Sequence, residues 1–199
     1  MRRAAVGLVG LAFAVLLSAA PRSLAAVPSV RLTDLDQRVV DPFLASEDSR
    51  AVVFLFASVE CPVSNRYAPL VQRLYRTFGS QGVSFWLVYP NPSDTPDAIR
   101  AHVRAFSYPV HVLRDPQHAL VKVTGVTVTP EAAVYDRARS LVYRGRLDDR
   151  YVSLGLERQA PARQDLADAL TAALAGHAVR EATTPAVGCF ISDFAGVLP

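Results

Sequence analysis

"AVVFLFASVECPVSNRYAPLVQRLYRTFGSQGVSFWLVY", Ala51 to Tyr89, decides how this chain folds. Its first seven residues are a continuous apolar run with β-branched and aromatic side chains. No polar residue alternates with them, which predicts a strand buried on both faces. From Pro62 the period changes. Val63, Tyr67, Leu70, Val71, Leu74, Tyr75 and Phe78 fall on one helical face. Pro62 suits the first helical position, where no backbone N–H is needed, and Pro69 should kink the helix without ending it. The run Gly79-Ser80-Gln81-Gly82 closes the helix, and residues 83–89 form a second buried strand. Strand, helix and strand in this order predict a right-handed βαβ unit with parallel strands.

Working outward, residues 30–40 alternate roughly around Thr33, Asp34 and Asp36 and predict a hairpin before the core. Past a proline-rich turn at 90–96, residues 97–106 read as a helix, 110–113 as a short strand and 117–123 as a short helix. Residues 131–135 and 141–143, joined by 136–140, predict an antiparallel hairpin. Residues 164–174 are an alanine- and leucine-rich helix that Gly176 can cap. Residues 177–199 have no clear period and read as a tail able to move, with Cys189 in it.

The chain has 199 residues, the size of one ordinary domain. Arg2 and Arg3, an apolar stretch over residues 4–20, and the small residues Ser23 and Ala25 read as an export signal cut after Ala25 or Ala26. An uncleaved membrane anchor is the alternative, because the apolar stretch falls just short of a spanning helix. No cysteine lies beside the cut, so nothing suggests a lipoprotein. The expected organisation is a signal over 1–26, one α/β domain over 27–176 and a tail over 177–199. Removing Arg2, Arg3 and Arg22 leaves 18 basic residues against 18 acidic ones. A neutral domain with no basic stripe lacks the electrostatic footprint of a nucleic-acid binder. Export places both cysteines where disulfides persist.

Cys61 is the sharpest chemical feature. It stands where the first buried strand gives way to the helix. There, unpaired N–H groups and the positive end of the helix dipole favour thiolate, the reactive form. A buried structural cysteine is the bland alternative. The carboxyl end of a strand, where α/β folds place their sites, argues for reactivity.

The order of elements and the segments "FLFASVECP", "VSFWLVY", "GVTVTPEAAVYD" and "LVYRGRLDD" resemble the thioredoxin-like redoxins. That broad group holds secreted thiol–disulfide oxidoreductases and peroxiredoxins. The resemblance covers about residues 30–174. It implies a thioredoxin-like fold, with a central mixed β-sheet flanked by helices, an N-terminal hairpin and a C-terminal tail. It also implies an exported, periplasmic or extracellular, thiol-based oxidoreductase. Cys61 is then the nucleophile and Pro130 a cis-proline facing it, with Ser58, Asn65, Thr129 and Arg144 near the substrate. The partners implied are protein or small-molecule thiols and disulfides, with peroxide as a further substrate class. No cofactor, metal or nucleic acid is called for, and no membrane span survives removal of the signal.

This chain also departs from its resemblances. A thioredoxin-type site is Cys-x-x-Cys, and the second position here is Ser64. Copper-delivering relatives use Cys-x-x-x-Cys and a distant histidine, and here Asn65 replaces the second cysteine. Losing a thiolate weakens the soft ligand set that selects Cu(I), and His118 then reads as a surface or capping residue. Peroxiredoxins carry Pro-x-x-x-Thr-x-x-Cys; Ser58 keeps the hydroxyl, Phe54 replaces the proline, and Arg144 or Arg146 could supply the charge.

Cys189 remains. It could resolve an adduct on Cys61, form a permanent bridge worth about 4–5 kcal/mol in the loop-entropy model, or be an unrelated thiol. Asp148, Asp149 and Arg150 read as a solvated turn with local ion pairs. His102, His111 and His177 are scattered, and Trp86 reads as core.

Overall fold

The computed structural model describes residues 29–191. The export signal expected over 1–26 and the final stretch 192–199 lie outside it. Two short strands, β1 (Leu32–Thr33) and β2 (Val39–Val40), pair antiparallel as the expected hairpin. Next comes β3 (Ala51–Phe56), buried at every residue. Val53 and Leu55 enter one apolar cluster, while Val52, Phe54 and Phe56 enter the other. Both faces are therefore covered, which is why this strand carries no polar alternation.

The helix after β3 is interrupted. It runs as α1 (Pro62–Arg66) and α2 (Ala68–Phe78), with Tyr67 between them. Pro69, at the start of α2, has no N–H to give to the carbonyl four residues back, so the ladder breaks one turn earlier. The kink expected from the sequence falls at Tyr67, which stays right-handed between the two pieces. Beyond it, β4 (Val83–Tyr89) runs parallel to β3. Then follow α3 (Pro96–Ala105), β5 (His111–Arg114) parallel to β4, and α4 (Ala119–Thr124).

The second half returns antiparallel. After β6 (Val128–Thr129) comes β7 (Glu131–Tyr135), paired with β3, and β8 (Leu141–Gly145), paired with β7. The main sheet thus has seven strands in the order β2-β1-β5-β4-β3-β7-β8, with parallel and antiparallel neighbours. A small hairpin, β9 (Tyr151–Ser153) and β10 (Leu156–Glu157), leads to α5 (Asp165–Ala175). Gly176 closes α5 in the left-handed conformation expected of a C-terminal cap. Leu166, Ala169 and Leu170 of α5 join α2 on one face of the sheet, while Phe43, Trp86 and Leu120 fill the other.

The tail is not free. Its final described element, β11 (Cys189–Phe190), pairs antiparallel with β6, and Thr183 bridges Arg144 of β8. Thr184 is buried, and its hydroxyl meets that of Tyr143 at 2.6 Å. The contact needs glycine at two points. A Cβ on Gly188 would collide with the Thr129 carbonyl, and one on Gly145 would collide with Thr184. The expectation of a mobile tail is thereby corrected over residues 177–191. A two-residue strand has no periodicity to betray it, and its partner β6 is equally short.

Candidate active site

Cys61 caps the N-terminus of α1 in an extended conformation, directly after the loop that leaves β3. It is 1% exposed. Its sulfur donates to the carbonyl oxygen of Thr129 at 3.0 Å. The Thr129–Pro130 peptide bond is cis. Thr129 also lies directly opposite Cys189 in the β6–β11 ladder. Cys61, Ser58, Thr129, His118 and Cys189 line one cavity of about 160 Å³, with Phe190 at its outer edge. Phe190 itself is 83% exposed.

Both cysteines are free thiols, and they share this cavity from either side of Thr129. Burial pushes the Cys61 thiol up. The polar groups around the sulfur, Cys189 first and then Ser64 and Thr129, more than offset this, and the net shift is downward. Cys189 moves oppositely. Burial raises it first, the hydrogen bond and charge of Cys61 raise it further, and it is pushed up to about 12. Pairs whose environments separate their proton affinities in this way divide into a nucleophile and a reserve acid. Because α1 ends after five residues, the support for a Cys61 thiolate is mostly these local donors, not a long helix dipole.

Other residues fix the walls. The loop amide of Val59 donates to Asp94 at 3.3 Å. Asp94 is buried, which raises its pKa, while Val59 N–H and the Ser58 hydroxyl pull it back. Asn65 donates through Nδ2 to the Val59 carbonyl, which leaves its Oδ1 to face His102 Nε2 at 2.7 Å. His102 Nε2 must then carry the proton, and Nδ1 accepts from the Tyr89 hydroxyl at 2.7 Å. Glu131, beside Pro130, accepts from the amides of Thr127 and Val128 and so holds the β6 turn from beneath.

The residues read from the sequence therefore separate. Cys61, Cys189, Ser58 and Thr129 meet at the cavity. Asn65 braces the loop behind Cys61, away from the cavity lining. Arg144 points elsewhere, donating to the Gly125 carbonyl at 2.7 Å with Glu131 at 3.9 Å. His118 is not a surface residue. It precedes α4 in a left-handed conformation, is buried, and its Nε2 meets the Pro90 carbonyl at 3.1 Å. Among the described residues no group of three or more His, Cys, Asp or Glu side chains is disposed to hold a metal ion, and no helix is long and apolar enough to cross a membrane. Asp94, His102 and Glu131 were not singled out as site residues by sequence reasoning. Only Glu131 left a signal, as a lone acid at the head of an apolar strand beside Pro130.

The redoxin family model matches residues 23–153, and the chain belongs to that family. The fold is thioredoxin-like, and the family and site together define a thiol oxidoreductase in general terms. The matched segment stops short of α5 and Cys189. Among solved structures, a hypothetical protein of Sinorhizobium meliloti 1021 is similar at 27% identity and TM-score 0.74, covering 85% of this chain and 93% of its own. An uncharacterized conserved protein of Geobacillus kaustophilus is similar at 28% identity and TM-score 0.74, over 86% and 92%. A secreted disulfide oxidoreductase of Mycobacterium tuberculosis, homologous to E. coli DsbE, shares the fold at 17% identity and TM-score 0.51, over 79% and 99%. No curated protein gives a significant match.

Proposed function

We propose that the protein exchanges disulfides through Cys61 and resolves the product with Cys189. The observation that carries this reading is that Cys61 and Cys189 line one cavity, Cys61 bound to the Thr129 carbonyl and Cys189 paired with Thr129 in the β6–β11 ladder. In the reducing direction, the Cys61 thiolate attacks one sulfur of R–S–S–R′. The bond Cys61–S–S–R forms and R′S⁻ leaves, taking a proton from solvent. Cys61 is then neutral, so its charge and hydrogen bond no longer hold the proton on Cys189. Cys189 loses that proton, attacks the Cys61 sulfur and expels RS⁻. The substrate has gained two electrons, and the protein holds a Cys61–Cys189 disulfide that an external dithiol must reduce. Run backwards, the same steps oxidise a dithiol.

This reading replaces the second cysteine of a Cys-x-x-Cys loop with one delivered by the tail. Arg144, bound to Gly125 and near Glu131, gives a peroxidase reading no support. The oxidised full chain, digested and mapped without reductant, should yield the Cys61 and Cys189 peptides joined. Two separate peptides after complete oxidation would exclude the pairing.

We infer further that the chain works outside the cytoplasm. The support is its N-terminal arginine pair, apolar run and small-residue cut site, together with the secreted character of the M. tuberculosis neighbour. N-terminal sequencing of the exported protein should begin at Ala26 or Val27, and a start at Met1 would point to an anchor.

A further inference from the structure

Ser64 occupies the position at which a Cys-x-x-Cys loop carries its second sulfur. It sits in α1, three residues after Cys61, and is 2% exposed. Its hydroxyl makes no hydrogen bond to any described residue, and its third helical position puts it within one turn of the capping Cys61. A buried hydroxyl left without a partner is costly and uncommon in native proteins, so its retention needs a reason.

The state of the sulfur supplies one. As a thiol, Cys61 uses its proton on the Thr129 carbonyl, and a thiol sulfur is a weak acceptor. As a thiolate it has no proton to give. It then lies against a carbonyl oxygen that repels it, and it becomes a strong, charged acceptor. At that point Ser64 O–H has its partner. We propose that Ser64 is a catalytic residue, whose hydroxyl donates to the Cys61 sulfur when that sulfur is an anion and is unpaired otherwise.

The proposal rests on Cys61 being the exchanging sulfur and assigns the residue that supports its charge. The donor acts twice in the cycle. It holds the attacking thiolate before the mixed disulfide forms. It also holds the leaving thiolate when an external thiolate attacks Cys189 in the Cys61–Cys189 disulfide, forming Cys189–S–S–R and releasing Cys61 with the electron pair. Oxygen in place of sulfur keeps the hydrogen bond but removes a nucleophile. The loop therefore stabilises Cys61 without resolving its adducts, which leaves resolution to Cys189.

Reduced full-length protein carrying Ser64→Ala tests this against the parent. Iodoacetamide labelling of Cys61, separated from Cys189 by peptide mass, is followed as a function of pH. The inflection for Cys61 should move to higher pH in the variant, and the rate near neutral pH should fall about tenfold, as expected for losing a hydrogen bond to a charged group. The melting temperature adds a second readout. Below the parent's inflection, where the hydroxyl has no partner, Ser64→Ala should melt at or above the parent. Above it, the variant should melt lower. An unchanged inflection, or an equal loss of Tm at every pH, overturns the proposal and makes Ser64 a packing residue. Labelling needs no disulfide substrate, so this outcome is read separately from whether Cys61 and Cys189 exchange disulfides at all.

Discussion

Cys189 lies directly opposite Thr129 across the β6–β11 ladder, and Thr129 is the residue whose carbonyl takes the Cys61 thiol proton at 3.0 Å. One backbone position therefore sets the location of both sulfurs. The ladder is only two residues long, and it is reinforced by Ile191 N–H donating to the Thr127 carbonyl at 3.0 Å.

Gly188 admits this close approach, because any Cβ there would collide with the Thr129 carbonyl. Gly188→Ala should lift the tail off β6. A displacement near 1 Å is enough to slow a positioned reaction by up to about a hundredfold. Closure of the Cys61–Cys189 disulfide, followed by quenched intact mass after adding a diazene oxidant, should slow by tenfold or more. Cys189 should alkylate faster at the same time.

The two thiols give the reduced protein an opposed pH dependence. Cys61 is lowered on folding, so its contribution to stability is present above the unfolded value of about 8.5 and is lost as pH falls through its folded pKa. Cys189 is raised to about 12, so its contribution is present below about 8.5 and is lost as pH rises towards 12. Their joint contribution should peak near pH 8.5. Urea unfolding of the reduced parent, minus that of the Cys61→Ser/Cys189→Ser double variant, isolates it. A flat difference would mean that neither thiol is shifted.

Asn65 ties the loop before Cys61 to a buried histidine. Asn65→Ala should cost about 1–3 kcal/mol, because it leaves the His102 Nε2–H without its acceptor. Burial lowers the His102 pKa, so the parent should lose stability as pH falls below about 6.5 and towards that lower value. Replacing His102 with phenylalanine should remove this acid-side slope, as read from denaturant midpoints across pH.

Asp148 behaves unlike the solvated turn its sequence suggests. It is buried and accepts from the Tyr67 hydroxyl at 2.6 Å. Tyr67→Phe removes a hydrogen bond to a carboxylate and should destabilise the fold by about 1.5–3 kcal/mol. A drop of several degrees in Tm checks it.

The parts of this fold legible in the sequence are those held by continuous burial. The strands β3 and β4 are apolar without interruption because clusters lie on both of their faces. Position then placed Cys61 at the end of β3 without help from any distant contact. The errors lie where long-range partners decide. Asp149 reads as a surface acid, yet it is buried by accepting from the amides of Ala162 and Arg163. His118 reads as a surface or capping residue; it does take the position before α4, but it is buried there because the Pro90 carbonyl, which nothing local shows, lies beside it. The tail reads as mobile because Thr184 and Gly188 find their contacts at Tyr143 and Thr129, far back along the chain. Hydrophobic periodicity carries no information of that kind.

The central claim is that Cys61 attacks and Cys189 resolves. The most direct test mixes reduced parent and reduced Cys189→Ser with glutathione disulfide and follows the intact mass of each with time. The account predicts that Cys189→Ser accumulates a long-lived glutathione adduct on Cys61. The parent should pass quickly through that adduct to a glutathione-free form two hydrogens lighter than the reduced protein. Equal adduct lifetimes in the two proteins, with no lighter form in the parent, would contradict it.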